Sequence, residues 1–167
     1  MAEPRWLTKR EERAWRGYMR MRALLDLQIS RDLSRDSGLS TADYEVLVSL
    51  SETHGHRVRL HELAEAIKWS TSRLAHHLDR MSRRDLVRKE EHPENRRAAV
   101  VVLTPTGLRT IEEAAPLHLE SVRRHFVDLL TEEQIDVLAE ATETVIEHLR
   151  HPDDATRRRS ARRPGDE

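Results

Sequence analysis

Apolar residues recur at helical spacing along most of the chain, and this pattern predicts six helices. They cover roughly residues 9–36, 41–53, 61–67, 71–84, 105–129 and 132–150. On the fourth helix, Leu74, Leu78 and Met81 form one narrow apolar stripe, and the other positions of that helix are mostly polar or basic. The chain is therefore predicted to be mainly helical.

Three of the predicted helices begin at residues that are typical N-caps. Ser40 is followed three residues later by Asp43, which resembles a capping box at the start of the second helix. Ser70 can cap the fourth helix, and Thr131 precedes Glu132 at the start of the sixth. These caps support the helix boundaries that the apolar spacing predicts.

The segment between the fourth and fifth helices departs from helical spacing. Residues 86–91 and 98–103 are typical of strands, and His92-Pro93-Glu94-Asn95 between them is typical of a turn. Two short helices, the second with a basic outer face, followed by such a hairpin predict a winged helix-turn-helix. This arrangement suits duplex DNA, because a helix fits the major groove and a thin ribbon reaches the minor groove. The fourth helix alone is explained equally well as an amphipathic helix with a solvated basic face.

Charge is distributed unevenly along a chain whose net charge is only −1. Residues 68–97 hold nine lysines or arginines and five acidic residues, whereas residues 132–149 hold six acidic residues and no lysine or arginine. The middle of the chain is therefore basic and the last helix acidic, although the total charge does not indicate a nucleic-acid-binding protein.

Composition excludes several classes of protein. The 167 residues suit one domain with helical extensions, and the absence of cysteine excludes disulfides, thiolate metal sites and a cysteine nucleophile. The sequence contains no apolar run long enough for a membrane span and no apolar signal core, so we expect a cytoplasmic protein. It also lacks a glycine-rich phosphate loop and a nucleophile elbow, so neither an enzyme nor a cofactor is predicted.

Two stretches carry a resemblance to a known family. LHELAEAIKWSTSRLAHHLDRMSRRDLV is similar to the helix-turn-helix of the MarR family of bacterial transcriptional regulators, and ENRRAAVVVLTPTG is similar to its wing. The resemblance covers residues 15–149. The chain departs from the family at Asn95, where a wing aspartate is common. It also departs at Lys68 and Asp85, where the family often has a glycine that would ease a left-handed turn.

The resemblance implies a homodimer in which the first, fifth and sixth helices of two chains intertwine. These helices also carry more apolar surface than so small a DNA-binding region could cover. A dimer would place two recognition helices in successive major grooves, so a near-palindromic duplex is the expected partner. The predicted regions are an N-terminal arm and dimerisation helix, a winged helix-turn-helix, C-terminal dimerisation helices and a disordered charged tail, at residues 1–36, 37–104, 105–150 and 151–167.

The resemblance also indicates which side chains meet DNA. Hydroxyls at the start of the fourth helix suit phosphates, and Arg73, His76 or His77 could reach base edges. Arg97 is expected in the minor groove, with Arg96 on a phosphate or in support. His77 and Arg80 are also explained as merely solvated side chains. The predicted DNA-binding residues are Ser70, Thr71, Ser72, Arg73, His76, His77, Arg80, Arg84, Arg96 and Arg97.

Two further groups of side chains raise the question of a small ligand. The resemblance implies a small aromatic or phenolic effector beside the dimerisation helices, where Trp15, Tyr18 and Arg22 lie one turn apart. Packing within the dimer interface is the alternative explanation of this aromatic pair. Some family members sense zinc, and His54, His56 and His61 are near one another in sequence, but without a clear ligand pattern we expect no metal site.

A DNA-binding regulator, and specifically a repressor, is therefore the function predicted from the sequence. Trp69, in the turn before the fourth helix, is expected to be a core residue. Two alternatives remain open: a winged-helix module that binds a protein, and an architectural protein that binds DNA without sequence preference. Steep salt dependence of duplex binding would exclude the protein-binding module, because only phosphate contacts release counterions.

Overall fold

The structure is a computed structural model that describes residues 4–92 and 95–151. Over these residues the chain forms six α-helices and three β-strands. In chain order they are α1 (Lys9–Ser37), α2 (Thr41–Ser51), β1 (Arg57–Arg59), α3 (Leu60–Ala66), α4 (Thr71–Arg83), β2 (Val87–His92), β3 (Asn95–Leu103), α5 (Pro105–His125) and α6 (Glu132–Arg150). The mainly helical winged helix-turn-helix that the sequence predicts is confirmed. Residues 152–167 of the predicted charged tail lie outside the described residues.

Two details of the predicted element pattern were wrong. The fifth helix ends at His125 rather than near 129, because Phe126 has a non-helical backbone and Val127–Leu129 form a separate 3-10 turn. The strand β1 was missed. It is three residues long and alternates arginine with one valine, so it has no hydrophobic signal of its own and depends on pairing with β3.

The three strands form one antiparallel sheet in the order β1-β3-β2. Val101 in the second half of β3 pairs with Val58 of β1 on one side and with Lys89 of β2 on the other. Strands β2 and β3 are the hairpin that the sequence predicts. The long strand β3 is hydrogen-bonded on both sides, so β1 attaches the hairpin to the segment that leads into α3.

The turns at Lys68 and Asp85 have the left-handed backbone that a glycine would adopt more easily. Lys68 and Asp85 both adopt left-handed conformations, with φ of 58° and 55°. The turn at Asp85 is held by α5, because the Thr106 hydroxyl donates to the Asp85 carboxylate at 2.8 Å. Lys68 precedes Trp69, whose backbone N–H donates to the Ala64 carbonyl at 2.8 Å. These turns fix where α4 begins and where the hairpin leaves it.

One hydrophobic core joins the helix-turn-helix to the sheet. Its fully buried side chains come from α2, α3, α4 and the strands, and include Leu47, Leu63, Leu74, Leu78 and Val101. The stripe predicted on the fourth helix is therefore confirmed as core. Within the described residues, no helix is both long and apolar enough to cross a membrane.

A buried carboxylate joins α1 to α5. Asp32 is 2% exposed and accepts a hydrogen bond from the Ser121 hydroxyl at 2.8 Å. The His125 ring lies 2.9 Å from the same carboxylate, and Arg35 lies 3.0 Å from its other oxygen. Because an unpaired buried carboxylate is strongly unfavourable, these partners fix the two helices against each other.

The chain divides into two compact units, one ending at His125 and the other beginning at Phe126. The first holds the core, the sheet and helices α1 to α5. The described part of the second holds the 3-10 turn and α6, and no α6 side chain is buried. The capping box at Thr131, whose hydroxyl accepts from the Gln134 N–H, confirms the predicted start of α6.

Gly107 offers a direct test of the close approach between α5 and the hairpin. A Cβ at this position would lie 2.0 Å from the Leu86 carbonyl oxygen, which is a backbone atom that cannot easily move away. We expect Gly107→Ala to lower the free energy of unfolding by about 1–3 kcal/mol, the usual cost of overpacking. Denaturant unfolding at fixed protein concentration measures the change.

Gly17 on α1 provides the matched control. No atom lies within 4 Å of a Cβ built there, so Gly17→Ala should stabilise the helix by up to about 1 kcal/mol. Equal effects of the two substitutions would contradict the close approach of α5 to the hairpin.

Candidate nucleic-acid interface

The N-terminal end of α4 is exposed and held in a fixed geometry. Ser70 is the N-cap, as the sequence predicts, and its hydroxyl accepts from the Arg73 backbone N–H at 3.2 Å. The side chains of Thr71, Ser72 and Arg73 in the first turn are exposed. Exposed hydroxyls and unpaired backbone N–H groups at a helix start form a favourable site for a phosphate oxygen.

The outer face of α4 continues with His76 and Arg80, which are also exposed. His77 is a correction to the sequence interpretation. It was expected to point away from the core, but its ring is buried, with 6% of the residue exposed. The physical reason is that residue 77 lies three residues after Leu74 and four before Met81, so it borders the buried apolar stripe of α4. Its ring there lies beside the buried carboxylate of α2, Asp43.

A polar network between α2 and α4 joins the buried side chains of Asp43 and His77 to two exposed arginines, Arg80 and Arg84. Nε2 of His77 lies 3.0 Å from one Asp43 oxygen, and the Arg84 guanidinium donates to the other at 2.8 Å. The Ser40 backbone N–H donates to the same Asp43 oxygen, closing the predicted capping box. Asp43 therefore caps α2 and holds α4 at the same time.

One hydrogen bond indicates the tautomer of His77. The Arg80 guanidinium lies 2.7 Å from Nδ1 of His77, and because arginine only donates, Nδ1 must accept. The ring is then neutral, with its hydrogen on Nε2 beside Asp43. Burial lowers the pKa of His77, and the charge of Arg80 lowers it further, although Asp43 acts in the opposite direction.

The Asp43 carboxylate remains ionised in this network. Burial acts to raise its pKa, but the N–H of Ser40 and the guanidinium of Arg84 favour the charged form and together lower the pKa below its ordinary value. Arg84 also donates to the Gly38 carbonyl at 3.1 Å. The guanidinium of Arg84, predicted as a DNA contact, is therefore engaged at the junction of α1, α2 and α4.

The first strand of the wing is tied to α4 by a lysine that sequence reasoning did not single out. The Lys89 ammonium donates to Asp79 at 2.6 Å and to the Ala75 carbonyl at 3.3 Å. Arg88 and Arg57 both contact Glu90, at 2.6 and 3.2 Å. The lysine contacts hold β2 beside α4, and the contact of Arg57 with Glu90 joins β2 to β1.

The predicted wing residues Arg96 and Arg97 belong to the backbone of β3, directly after the hairpin turn. Their side chains lie outside the described residues, so the predicted contacts of these two arginines with DNA stay predictions. Asn95, the position of the substituted wing acid, begins the same strand.

Trp69 connects the turn before α4 to the exposed face of the helix. It is half-buried and packs against the core, in partial agreement with the expected core role. Its ring also carries the Arg73 guanidinium, whose central carbon lies 3.9 Å from the ring centroid. The His77 ring meets the indole edge-on, with centroids 5.5 Å apart.

The candidate effector residues lie on the exposed surface of α1. The rings of Trp15 and Tyr18 stack with centroids 5.9 Å apart, and 56% and 45% of these residues are exposed. Arg22 lies 3.9 Å from the Asp26 carboxylate, one turn further along. The structure therefore pairs the two rings, while the closest recorded ionic contact of Arg22 is with an acid of its own helix.

Three histidines that are near one another in sequence follow the end of α2. His54 and His56 lie in a 3-10 turn, and His61 lies in α3. Among residues 4–92 and 95–151, no three histidine or acidic side chains are grouped so that they could hold a metal ion.

The order of elements, the basic exposed face of α4 and the three-stranded sheet define a winged helix-turn-helix of the DNA-binding type. The MarR family profile matches residues 39–99. AbsC, a MarR family transcriptional regulator from Streptomyces coelicolor, is 45% identical, with a TM-score of 0.82 over 88% of this chain and 99% of that chain. The chain therefore belongs to the MarR family of transcriptional regulators.

Two other solved structures include DNA. Sco3205, a MarR family regulator from Streptomyces coelicolor in complex with DNA, is 38% identical, with a TM-score of 0.83 over 89% of this chain and 93% of that chain. A mutant MarR from E. coli complexed with operator DNA has a TM-score of 0.68 at 21% identity, over 78% of this chain and 91% of that chain, and supports the fold alone. No match is found among the curated proteins.

The Asp43 network predicts a large effect of a small substitution. Asp43→Asn keeps the shape of the side chain but removes the charge that Arg84 and the Ser40 N–H hydrogen-bond. We expect a loss of about 1.5–3 kcal/mol in the free energy of unfolding, the usual value for hydrogen bonds to a charged group. Asp36→Asn, which removes a partly exposed carboxylate paired with its neighbour Arg35, is the control and should change little.

His77, which is buried, and His118 of α5, which is half-buried, predict how stability depends on pH. The pKa values of His77 and His118 are both lowered by burial, so the unfolded chain takes up protons on these rings at a higher pH than the folded chain does. The free energy of unfolding should therefore fall as the pH is lowered from about 7 to about 5.

Denaturant unfolding across this pH range, compared with the double variant His77→Gln and His118→Gln, measures the contribution of the two rings. Glutamine at position 77 retains one donor and one acceptor for Asp43 and Arg80. An unchanged slope in the double variant would contradict the assignment of neutral rings at both positions.

Proposed function

We propose that this protein is a transcriptional repressor that binds a near-palindromic DNA operator as a homodimer. The observation that carries the proposal is the exposed start of α4. It presents the hydroxyls of Ser70, Thr71 and Ser72, which suit phosphate oxygens, together with Arg73, which lies on the Trp69 ring. The hairpin of β2 and β3 follows this helix. Its 38% identical relative Sco3205 was solved in complex with DNA, which supports duplex DNA as the ligand of the same fold here. Repression follows when the bound operator overlaps the site that a polymerase must occupy.

The start of α4 supplies two kinds of contact. Ser70, Thr71 and Ser72 present hydroxyls and the helix N-terminus to the phosphate backbone, which fixes the register of the protein on the duplex. Arg73 and His76, on the exposed face, reach base edges in the major groove, and guanine O6 and N7 are the acceptors that suit an arginine best. Arg80, one turn further, adds positive charge toward the flanking phosphates.

The wing supplies the contacts outside the major groove. Arg97 enters the adjacent minor groove, where the negative potential attracts arginine, and Arg96 binds a phosphate or supports it. The position of both residues directly after the hairpin turn, in β3, supports this assignment. The lysine contact between β2 and α4 supports it further, because it restrains the first strand of the hairpin beside the recognition helix.

Exposed apolar side chains support a homodimer. On α1 they occur at intervals that repeat along the helix, and they include Trp15, Tyr18, Met19, Met21, Leu24 and Leu27, each at least 40% exposed. Helix α6 by itself carries Ile135, Val137, Val145, Ile146 and Leu149, each at least 38% exposed. Because monomeric proteins rarely expose apolar patches of this extent, a second copy is the partner that suits them.

A small aromatic acid is the effector that we propose for the face of α1 with Trp15, Tyr18 and Arg22. The stacked rings offer an apolar wall, and Arg22 offers a cation for a carboxylate. Such a ligand relieves repression only if it binds more tightly to an arrangement of the dimer that cannot engage both half-sites. Packing of the same rings in the dimer interface is the competing use of this face.

Duplex selection tests the proposal. The wild-type chain is used to select bound duplexes from a random-sequence library at physiological salt, and affinity for the selected duplex is then measured over a range of salt concentrations. We expect a near-palindromic site and a steep fall in affinity with salt. Arg97→Ala should weaken binding about tenfold or more and reduce the salt slope by about two, one for each copy of the chain in the dimer.

Arg150→Ala, on the exposed last turn of α6, is the matched control and should leave affinity unchanged. A loss no greater for Arg97→Ala than for Arg150→Ala would contradict the role of the wing. Salt-sensitive binding without any selected sequence would indicate an architectural protein, and absence of duplex binding would indicate a protein-interaction module.

A further inference from the structure

Trp69 is fixed in place by its own backbone and by the core. The left-handed turn at Lys68 reverses the chain so that the Trp69 N–H donates to the Ala64 carbonyl of α3 at 2.8 Å. The indole packs against the hydrophobic core and is half-buried. A smaller apolar side chain could fill the core at this position, so the exposed part of the indole calls for a separate explanation.

The exposed part of Trp69 carries Arg73. The central carbon of the Arg73 guanidinium lies 3.9 Å from the centroid of the indole, which is cation–π contact. Arg73 itself is exposed and lies in the first turn of α4, where the proposed base contacts are made. A guanidinium on an aromatic face keeps its N–H donors available, because they point outward in its own plane.

The Trp69 indole also contacts a second ring, that of His77. The His77 ring meets it edge-on, at an interplanar angle of 80° and a centroid distance of 5.5 Å. That ring lies within reach of Asp43 at one nitrogen and of Arg80 at the other, at 3.0 and 2.7 Å. Arg73 is therefore connected to the buried Asp43 network through two stacked or edge-on rings, and each member of this series restrains the next.

Restraint of Arg73 before binding has a direct consequence for recognition. A long exposed side chain loses rotamer freedom when it is immobilised on a ligand, and this loss weakens binding. Stacking on Trp69 reduces that loss, since the guanidinium is already restricted to one region. The benefit applies to a contact that requires one geometry, as a bidentate base contact does, and much less to a diffuse contact with phosphates.

We propose that Trp69 is a positioning residue for sequence recognition, which orients Arg73 by stacking so that its guanidinium reads a base edge. This inference rests on the proposed function, because it takes duplex DNA as the ligand of α4. Trp69 makes no base contact of its own. It contributes to the affinity for DNA only by orienting Arg73.

The test is a double-mutant cycle on the duplex selected by the wild-type chain. Four proteins are compared: wild type, Trp69→Leu, Arg73→Ala and the double variant. We expect Trp69→Leu to weaken binding to the selected duplex about three- to tenfold. This loss corresponds to the usual strength of a cation–π contact that is partly shielded from water. In the Arg73→Ala background, the same substitution should have no further effect, because the group that it positions is gone.

Two controls separate positioning from folding. Trp69→Phe keeps an aromatic face and should retain most of the affinity, and a scrambled duplex of the same length should bind wild type and Trp69→Leu within about twofold of each other. In the unbound protein, the NMR signals of the Arg73 side chain should show ring-current shifts that remain in Trp69→Phe and disappear in Trp69→Leu. A general loss of folding would instead weaken both duplexes and disturb signals throughout the chain.

The outcomes that overturn the inference are distinct from failure of the proposed function. Equal losses from Trp69→Leu with and without Arg73, or equal losses on the selected and scrambled duplexes, would overturn the positioning role while leaving a DNA-binding regulator. Absence of ring-current shifts at Arg73 would overturn it without any DNA. Failure of the wild-type chain to select any duplex would overturn the proposed function, and the role of Trp69 with it.

Discussion

The buried carboxylate of Asp43 is the contact on which the geometry of the proposed DNA-binding face depends. It accepts from the Ser40 N–H at the start of α2, from Arg84 at the end of α4, and lies beside His77 in the middle of α4. A buried carboxylate is stable only when its oxygens accept hydrogen bonds. Helices α2 and α4 therefore cannot shift independently without leaving the Asp43 carboxylate unpaired. The angle at which α4 leaves the core is fixed by this requirement together with the apolar stripe.

The same network extends from the inside of the protein to its surface. His77 contacts Asp43 on the buried side and meets Trp69 edge-on, and Trp69 carries Arg73 at the exposed start of the helix. On the opposite side, Lys89 connects the hairpin to α4. Helix α4 and the hairpin are therefore held by polar contacts as well as by packing, which would favour the proposed sequence recognition because contacts with base edges tolerate little displacement.

Much of this arrangement could be predicted from the sequence, for physical reasons that differ between elements. Apolar periodicity and caps located the helices, because both are local signals, and the valines of β3 indicated the hairpin. Local signals could not show that Asp43 would meet Arg84 or that the polar His77 would be buried, because those contacts join residues far apart in sequence. The short strand β1 was missed for the same reason, since pairing with β3 and not its own composition makes it a strand.

We propose that two copies of this chain place two copies of α4 in successive major grooves of one duplex. Base-protection footprinting on the duplex selected by the protein distinguishes this arrangement from binding by a single copy. We expect two protected major-groove patches related by two-fold symmetry, with centres about 10 base pairs apart, and weaker minor-groove protection outside them. A single protected patch, or uniform protection without periodicity, would contradict it.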